Sequence, residues 1–427
     1  MKDITATTTS KTSPILGVLA IRDFRLLWIG SATSMLGDQF SLIATPWLVL
    51  KMTGDPLALG LVVALQGIPR AVFMLVGGAI TDRISQRTIM LISDVIRMAL
   101  TAAMTILVLS GAIQLWMLYI FSLAFGLVAG FSIPASNSIV PTLVPEQDLQ
   151  AGNSISMGTA QLTSFIGPTI AGVLIGHFSV SALGVGLAYG IDTLSFGASI
   201  LALWLLRAGR QVKQASDGTE ESIWASIGAG FRYLWTTPAL RLLFVVISAA
   251  NFLFVGPLLV GIPVLANQRL PEGALAFGLL ISAYSGGNLV GYILAGALPK
   301  AGGRTMATLL IGLLFVFGLV VASLGWITVT GLAIALLLGL GAGNGYISIM
   351  MFTQIQTRTP REMLGRMMSM IMLSNFGMAP LSQAIAGAVS KWSLTGLFAG
   401  AGLLMLVLAV WAAFQPELRT YAAKLVE

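Results

Sequence analysis

Polar positions along this 427-residue chain cluster in short intervals between long apolar runs. Twelve runs stand out, at about 26–50, 57–80, 88–110, 113–138, 153–177, 184–207, 238–266, 275–298, 306–324, 330–354, 366–391 and 395–415. Each is close to the roughly 20 apolar residues that take an α-helix across a bilayer. They are near-continuous and rich in Leu, Ala and Gly, without the two-residue alternation of a membrane barrel strand. The pattern predicts an all-α integral membrane protein with twelve transmembrane helices.

The longest polar interval, about 208–222, divides the runs into two sets of six. The expected layout is an N-terminal tail over 1–25, a six-helix bundle over 26–207, a linker over 208–237, a second six-helix bundle over 238–415 and a C-terminal tail over 416–427. Ile223, Ile227, Phe231 and Leu234 are spaced to give the linker an interfacial helix before Pro238; a longer seventh helix is the alternative. The first 14 residues are Thr-rich and lack the apolar core of a signal peptide, so they read as a disordered tail. A weak internal repeat supports two pseudo-symmetric halves. Pro145, Leu149 and Ser154 recur 215 residues later as Pro360, Leu364 and Ser369, and Gly172 recurs as Gly387.

Composition agrees, with 56% hydrophobic residues, only 9% charged and a mean hydropathy of +0.92. Soluble domains carry about 25% charged residues. With the N-terminus in the cytoplasm, most of the 23 Lys and Arg residues fall on the cytoplasmic side, and only Lys51, Arg269 and Lys391 fall on the opposite loops. That bias predicts a multi-pass protein of the cell membrane, of the bacterial cytoplasmic kind, with both termini inside. It also accounts for the net charge of +7 through lipid headgroups, so no nucleic-acid partner is expected. Zero cysteines exclude disulfides and thiol chemistry, and His177, the single histidine, leaves no His-rich metal site. A phosphate-binding P-loop, paired catalytic carboxylates and a nucleophile elbow are all absent from the sequence, so neither an enzyme nor a cofactor is expected.

The interval after the second run reads GGAITDRISQRT, with Gly78, Asp82, Arg83 and Arg87 in a short turn. This Gly-x-x-x-Asp-Arg-x-x-x-Arg pattern resembles the signature loop of the major facilitator superfamily, whose 6+6 layout the whole chain fits. The resemblance implies that this loop braces the cytoplasmic faces of the two halves; the second-half counterpart, GALPKAGGRT, has no acidic residue. Gly158, Gly167, Pro168 and Gly172 in the fifth run are similar to the Gly-Pro motif of the superfamily's antiporters, although close helix packing alone also explains them. SMLGDQFSLIATPWLVLKMTG, SDVIR, IPASNSIVPTLVPEQDLQAGNS, IDTLSF and GFRYLWTTPALRLLF are similar to the drug:proton antiporter branch that includes macrolide-efflux proteins and the enterobactin exporter. That branch implies a proton-coupled exporter of amphipathic organic compounds working by alternating access, a monomer whose partners are a small-molecule substrate, protons and membrane lipid. An uptake symporter or lipid transporter is the alternative, and a membrane receptor or scaffold is the reading from a different class.

Ionisable groups inside lipid are expensive and point to chemistry. Asp38 lies halfway along the first run and is the leading proton-coupling candidate. Arg70 lies at similar depth in the second run and, unable to lose its proton, is expected to pair with Asp38 in one state or to bind an anionic substrate. Asp192 in the sixth run is a second proton-coupling candidate, with helix packing the alternative. Asp94 and Arg97, three residues apart on the third run, are expected to brace the Asp82, Arg83 and Arg87 loop. Gln39, Gln66, Gln161, Asn251, Asn288, Asn344 and Asn375 are substrate-cavity candidates or, equally, interhelical hydrogen bonds.

Overall fold

Because lipid offers no partner for backbone N–H and C=O groups, each apolar run must close its hydrogen bonds internally. The computed structural model describes residues 14–81, 84–178, 182–207, 232, 235–236, 238–298, 303–358 and 377–415. Among these every regular element is a helix. The first half holds α1 (Pro14–Ala20), α2 (Arg22–Thr53), α3 (Pro56–Thr81), α4 (Gln86–Leu109), α5 (Leu115–Leu143), α6 (Leu149–His177) and α7 (Leu183–Leu205). The second half begins with α8 (Pro238–Gly256), which continues through a π-helical turn, Pro257–Gly261, into α9 (Ile262–Arg269). It then runs through α10 (Ala274–Ala297), α11 (Gly303–Leu324), α12 (Thr330–Arg358), α13 (Ala379–Trp392) and α14 (Leu394–Ala413).

Nine of the described stretches are long and apolar enough to cross a membrane. With α8 and α9 counted as one span, the helices α2, α11 and α13 fill the other three of the twelve predicted positions. Two differences from the sequence reading stand out. The chain is already helical at Pro14–Ala20, where Val18 is buried among Phe24, Leu27 and Leu203. The π-turn was not expected, and it follows from Pro257, which removes a donor from the middle of a span. Ser382 of α13 serves this region twice, accepting from the Gly256 backbone N–H at 2.8 Å and donating to the Phe252 carbonyl. The expected linker helix and the second copy of the repeat, Pro360, Leu364 and Ser369, lie outside the described residues, apart from Arg232, Trp235 and Thr236.

Helices gain little from hydrophobicity when the alternative solvent is lipid, so close backbone approach decides how they pack. A Cβ on Gly37 of α2 would stand 2.7 Å from Oδ1 of Asp192, so only glycine lets α7 lie this close. The halves meet along two matching seams, α3 with α13 and α6 with α10. A Cβ on Gly60 would stand 2.7 Å from the Gln383 carbonyl and 2.8 Å from Gly387 Cα, while one on Gly172 would stand 2.8 Å from the Ala274 carbonyl and 3.1 Å from Gly278 Cα. The recurrence of Gly172 as Gly387 is thus the same contact made twice. At the end of the molecule where these seams lie, Lys391 Nζ bonds Asp55 Oδ2 at 3.0 Å and Gly273 packs on Trp47. That end is closed. Large apolar side chains such as Ile106 and Leu194 cover the outside, 66% and 75% exposed.

Candidate transport cavity

A cavity of about 480 Å³ lies between the halves. Its charged lining among the described residues is Asp38 from α2, Arg70 from α3, Asp94 and Arg97 from α4, and Asp192 from α7. All five belong to the first half. The second half contributes Leu259 from the π-turn, Phe277 and Ile281 from α10, and Gln383 from α13. The described charges therefore all lie on one side of a cavity whose lining is otherwise largely apolar, with residues such as Phe121 and Phe125 from the first half and Phe277 and Ile281 from the second.

The three carboxylates are held differently. Asp192, 1% exposed, accepts hydrogen bonds from Ser41 of α2 and, at 3.3 Å, from Ser195 one turn along its own helix. Asp94 Oδ2 accepts from Ser199 of α7 at 2.7 Å. Asp38, in contrast, receives no hydrogen bond from the described residues, and it shares the cavity lining with Asp94, Arg97 and Asp192. Arg97 is itself positioned by a 2.8 Å bond from Nη2 to Ser132 of α5 and lies over the Phe196 ring at 5.8 Å.

Asp94 and Arg97 line the cavity, where Ser199 and Ser132 hold them from the neighbouring helices. Arg97 from α4 and Arg70 from α3 both border the cavity that Asp38 lines. Asp192 lines the cavity and packs helices at once. Arg87, expected to face the other half, donates from Nε to the Leu203 carbonyl at 2.7 Å and from Nη2 to that of Trp204 at 3.0 Å. It caps the C-terminus of α7, where a cation satisfies carbonyls that have no next turn. Asp82 and Arg83 lie outside the described residues, as do Asn375 and the surroundings of Gly78.

Of the polar candidates, Gln39 and Gln66 line the cavity. Asn344 Nδ2 donates to Asn288 Oδ1 at 2.8 Å and Asn288 Nδ2 to the Tyr284 carbonyl at 3.0 Å, so this pair joins α12 to α10 instead. Gln161 Nε2 donates to the Ser285 carbonyl at 2.7 Å, joining the halves, and Asn251 is likewise absent from the described lining. In the Gly-Pro motif Gly167 seats the Gln39 side chain, the Pro168 carbonyl meets Gly278, and Gly172 completes the seam. Gly158 faces open space. The sequence reading missed Ser41, Ser132, Ser199 and Gln383. Ser41 could have been found, since it follows Asp38 by three residues on the same helical face.

The profile of the transmembrane secretion effector family, a branch of the major facilitator superfamily, matches residues 12–426. The chain belongs to that family. This transporter is 28% identical to the multidrug efflux pump Tap of Mycolicibacterium fortuitum over 408 residues, 92% of this chain and 96% of that one. It is 25% identical to the enterobactin exporter EntS of Shigella flexneri, covering 86% of this chain and 84% of that one. A crystal structure of the nucleoside transporter NupG superposes with a TM-score of 0.70 at 12% identity, covering 94% of this chain and 99% of that one, which shows the shared fold.

Proposed function

We propose that this chain is a proton-driven exporter of amphipathic organic compounds, acting as a monomer in the bacterial cytoplasmic membrane with both termini inside. The observation that carries the reading is the charge balance of the cavity among the described residues: three carboxylates, Asp38, Asp94 and Asp192, against two guanidiniums, Arg70 and Arg97. A buried excess of one negative charge is costly, and one proton or one cationic group removes it. Asp38 is the carboxylate we assign to the proton, because no hydroxyl of the described residues holds it and it can exchange a proton without dismantling a described helix contact. The relatives add support for the direction and the cargo, as one is an efflux pump and another a siderophore exporter.

In this reading the closed end at Asp55 and Lys391 is the outer face, and the chain stands in its inward-facing state. Cargo enters from the cytoplasmic side, lays its apolar body on Leu259, Phe277 and Ile281, and replaces the proton on Asp38, which leaves to the cytoplasm. Parting the two glycine seams opens the outer face, where a proton returns to Asp38 and the cargo departs. The bodies that rock are 26–207 and 238–415, tied by the 208–237 linker, with Gly78, Asp82 and Arg83 bracing the cytoplasmic side when it closes.

The test uses everted membrane vesicles with an acidic lumen and ethidium as cargo. Accumulation that collapses with the pH gradient, and proton efflux on adding ethidium, is the expected result. Ethidium movement that ignores the gradient would remove proton coupling.

A further inference from the structure

The two seams are related by the 215-residue repeat at more than their glycines. Pro168 of α6 and Gln383 of α13 are separated by that interval, and each presents its backbone carbonyl to a glycine of the opposite half, Gly278 and Gly60. Their side chains differ in kind. Pro168 carries no polar atom, whereas Gln383 sets a primary amide at the edge of the cavity, 1% exposed. Its Oε1 is buried and has no hydrogen-bond partner among the described residues. Such an orphan acceptor costs about 1–3 kcal/mol and calls for a reason.

Neighbouring contacts keep this oxygen available. Ser382 is committed to α8 through Gly256 and Phe252, which fixes the rotation of α13. Gly67 of α3 stands opposite, where a Cβ would lie 2.8 Å from Pro380 Cγ and 3.5 Å from Gln383 Oε1. Gln383 is also the one polar side chain that the second half adds to the described lining.

We propose that Gln383 is a substrate-contacting residue whose Oε1 accepts a hydrogen bond from an N–H or O–H group of the amphipathic compound in the central cavity. The inference rests on that cavity being the transport site. A site built to satisfy a polar group discriminates against a ligand lacking its counterpart more sharply than an apolar wall can. Gln383 therefore selects cargo that bears a donor, while Leu259, Phe277 and Ile281 accept many shapes.

The experiment measures equilibrium binding to the purified full-length chain of two permanent cations, ethidium, which has amine N–H donors, and tetraphenylphosphonium, which has none. Gln383→Met should weaken ethidium about tenfold and leave tetraphenylphosphonium within about twofold. Gln383→Glu, which keeps an acceptor, should retain ethidium. The melting temperature of the empty Gln383→Met protein should hold or rise, since the orphan oxygen is gone. Equal weakening of both cations, unweakened ethidium, a Glu variant as poor as Met, or a lowered melting temperature would each overturn the assignment and leave the cavity reading intact. Wild-type protein that binds neither cation removes both.

Discussion

Lys391 Nζ reaches Asp55 Oδ2 at 3.0 Å and so ties the end of α13 to the start of α3. Asp55 also accepts from the Leu57 backbone N–H at 3.0 Å, so the same carboxylate caps α3 and latches the halves. Slight burial opposes ionisation, but the Lys391 hydrogen bond, the Leu57 N–H and the Lys391 charge together hold the Asp55 carboxyl below its usual value of 3.8. A lowered value means the latch is fully present above 3.8 and is lost only as pH falls through the still lower value of the paired group. Lys391→Ala should shift the population towards opening at this end by no more than about fivefold, since an exposed pair is worth up to about 1 kcal/mol. Spin-label distances between Ser110 and Trp326 check this, and in the wild type they should not change between pH 8 and pH 5.

Asp38→Asn mimics the protonated carboxylate. Gradient-driven accumulation of ethidium in vesicles should be lost and ethidium binding to purified protein should weaken, because the cation no longer has a proton to replace, while the protein remains in the membrane. A variant that still concentrates ethidium against its gradient would move the coupling role to Asp192.

Arg97 lines the cavity with three carboxylates, so Arg97→Ala removes the guanidinium that α4 places among them. Removing one member of a buried charge cluster costs more than the cluster is worth, here about 2 kcal/mol or more. The melting temperature in detergent should fall by several degrees, and Asp94→Asn added to Arg97→Ala should restore part of the loss. Equal melting of Arg97→Ala and wild type would show that water, not Arg97, balances the cluster.

The seam at α6 and α10 has room for hydrogen alone. Gly172→Val would press its Cβ to within 2.8 Å of the Ala274 carbonyl, at a cost of about 1–3 kcal/mol borne only when this end is closed. The opposite state should therefore gain population. The chain has no cysteine, so a single Leu42→Cys in the cavity lining reports access cleanly. Its reaction with an impermeant maleimide applied from the Asp55 side should accelerate in the Gly172→Val background.

The helices were legible because bilayer thickness imposes one length on every apolar run, and Asp38 was legible because depth along α2 is a matter of counting. The recurrence of Gly172 as Gly387 was also visible, since a close backbone approach leaves its mark in residue size. Rotation about a helix axis was not legible. Nothing on α4 says which neighbour will supply Ser199 to Asp94 or Ser132 to Arg97. Gln383 gave no signal at all: an amide in an apolar run reads the same whether it meets a carbonyl, a partner helix or an open cavity. The π-turn at Pro257 was not legible either, since Ser382, which serves the backbone beside it, lies on another helix.

Every ionised side chain of the described cavity arises from α2, α3, α4 and α7, and the facing wall from α10, α13 and the π-turn is neutral. The described charge of the cavity thus sits on one half of the sequence. Under the proposed function, a substitution at Leu259, Phe277 or Ile281 reshapes the neutral side of the cavity without altering any charge, so the range of compounds accepted can drift by successive single changes while Asp38, Arg70, Asp94, Arg97 and Asp192 stay as they were.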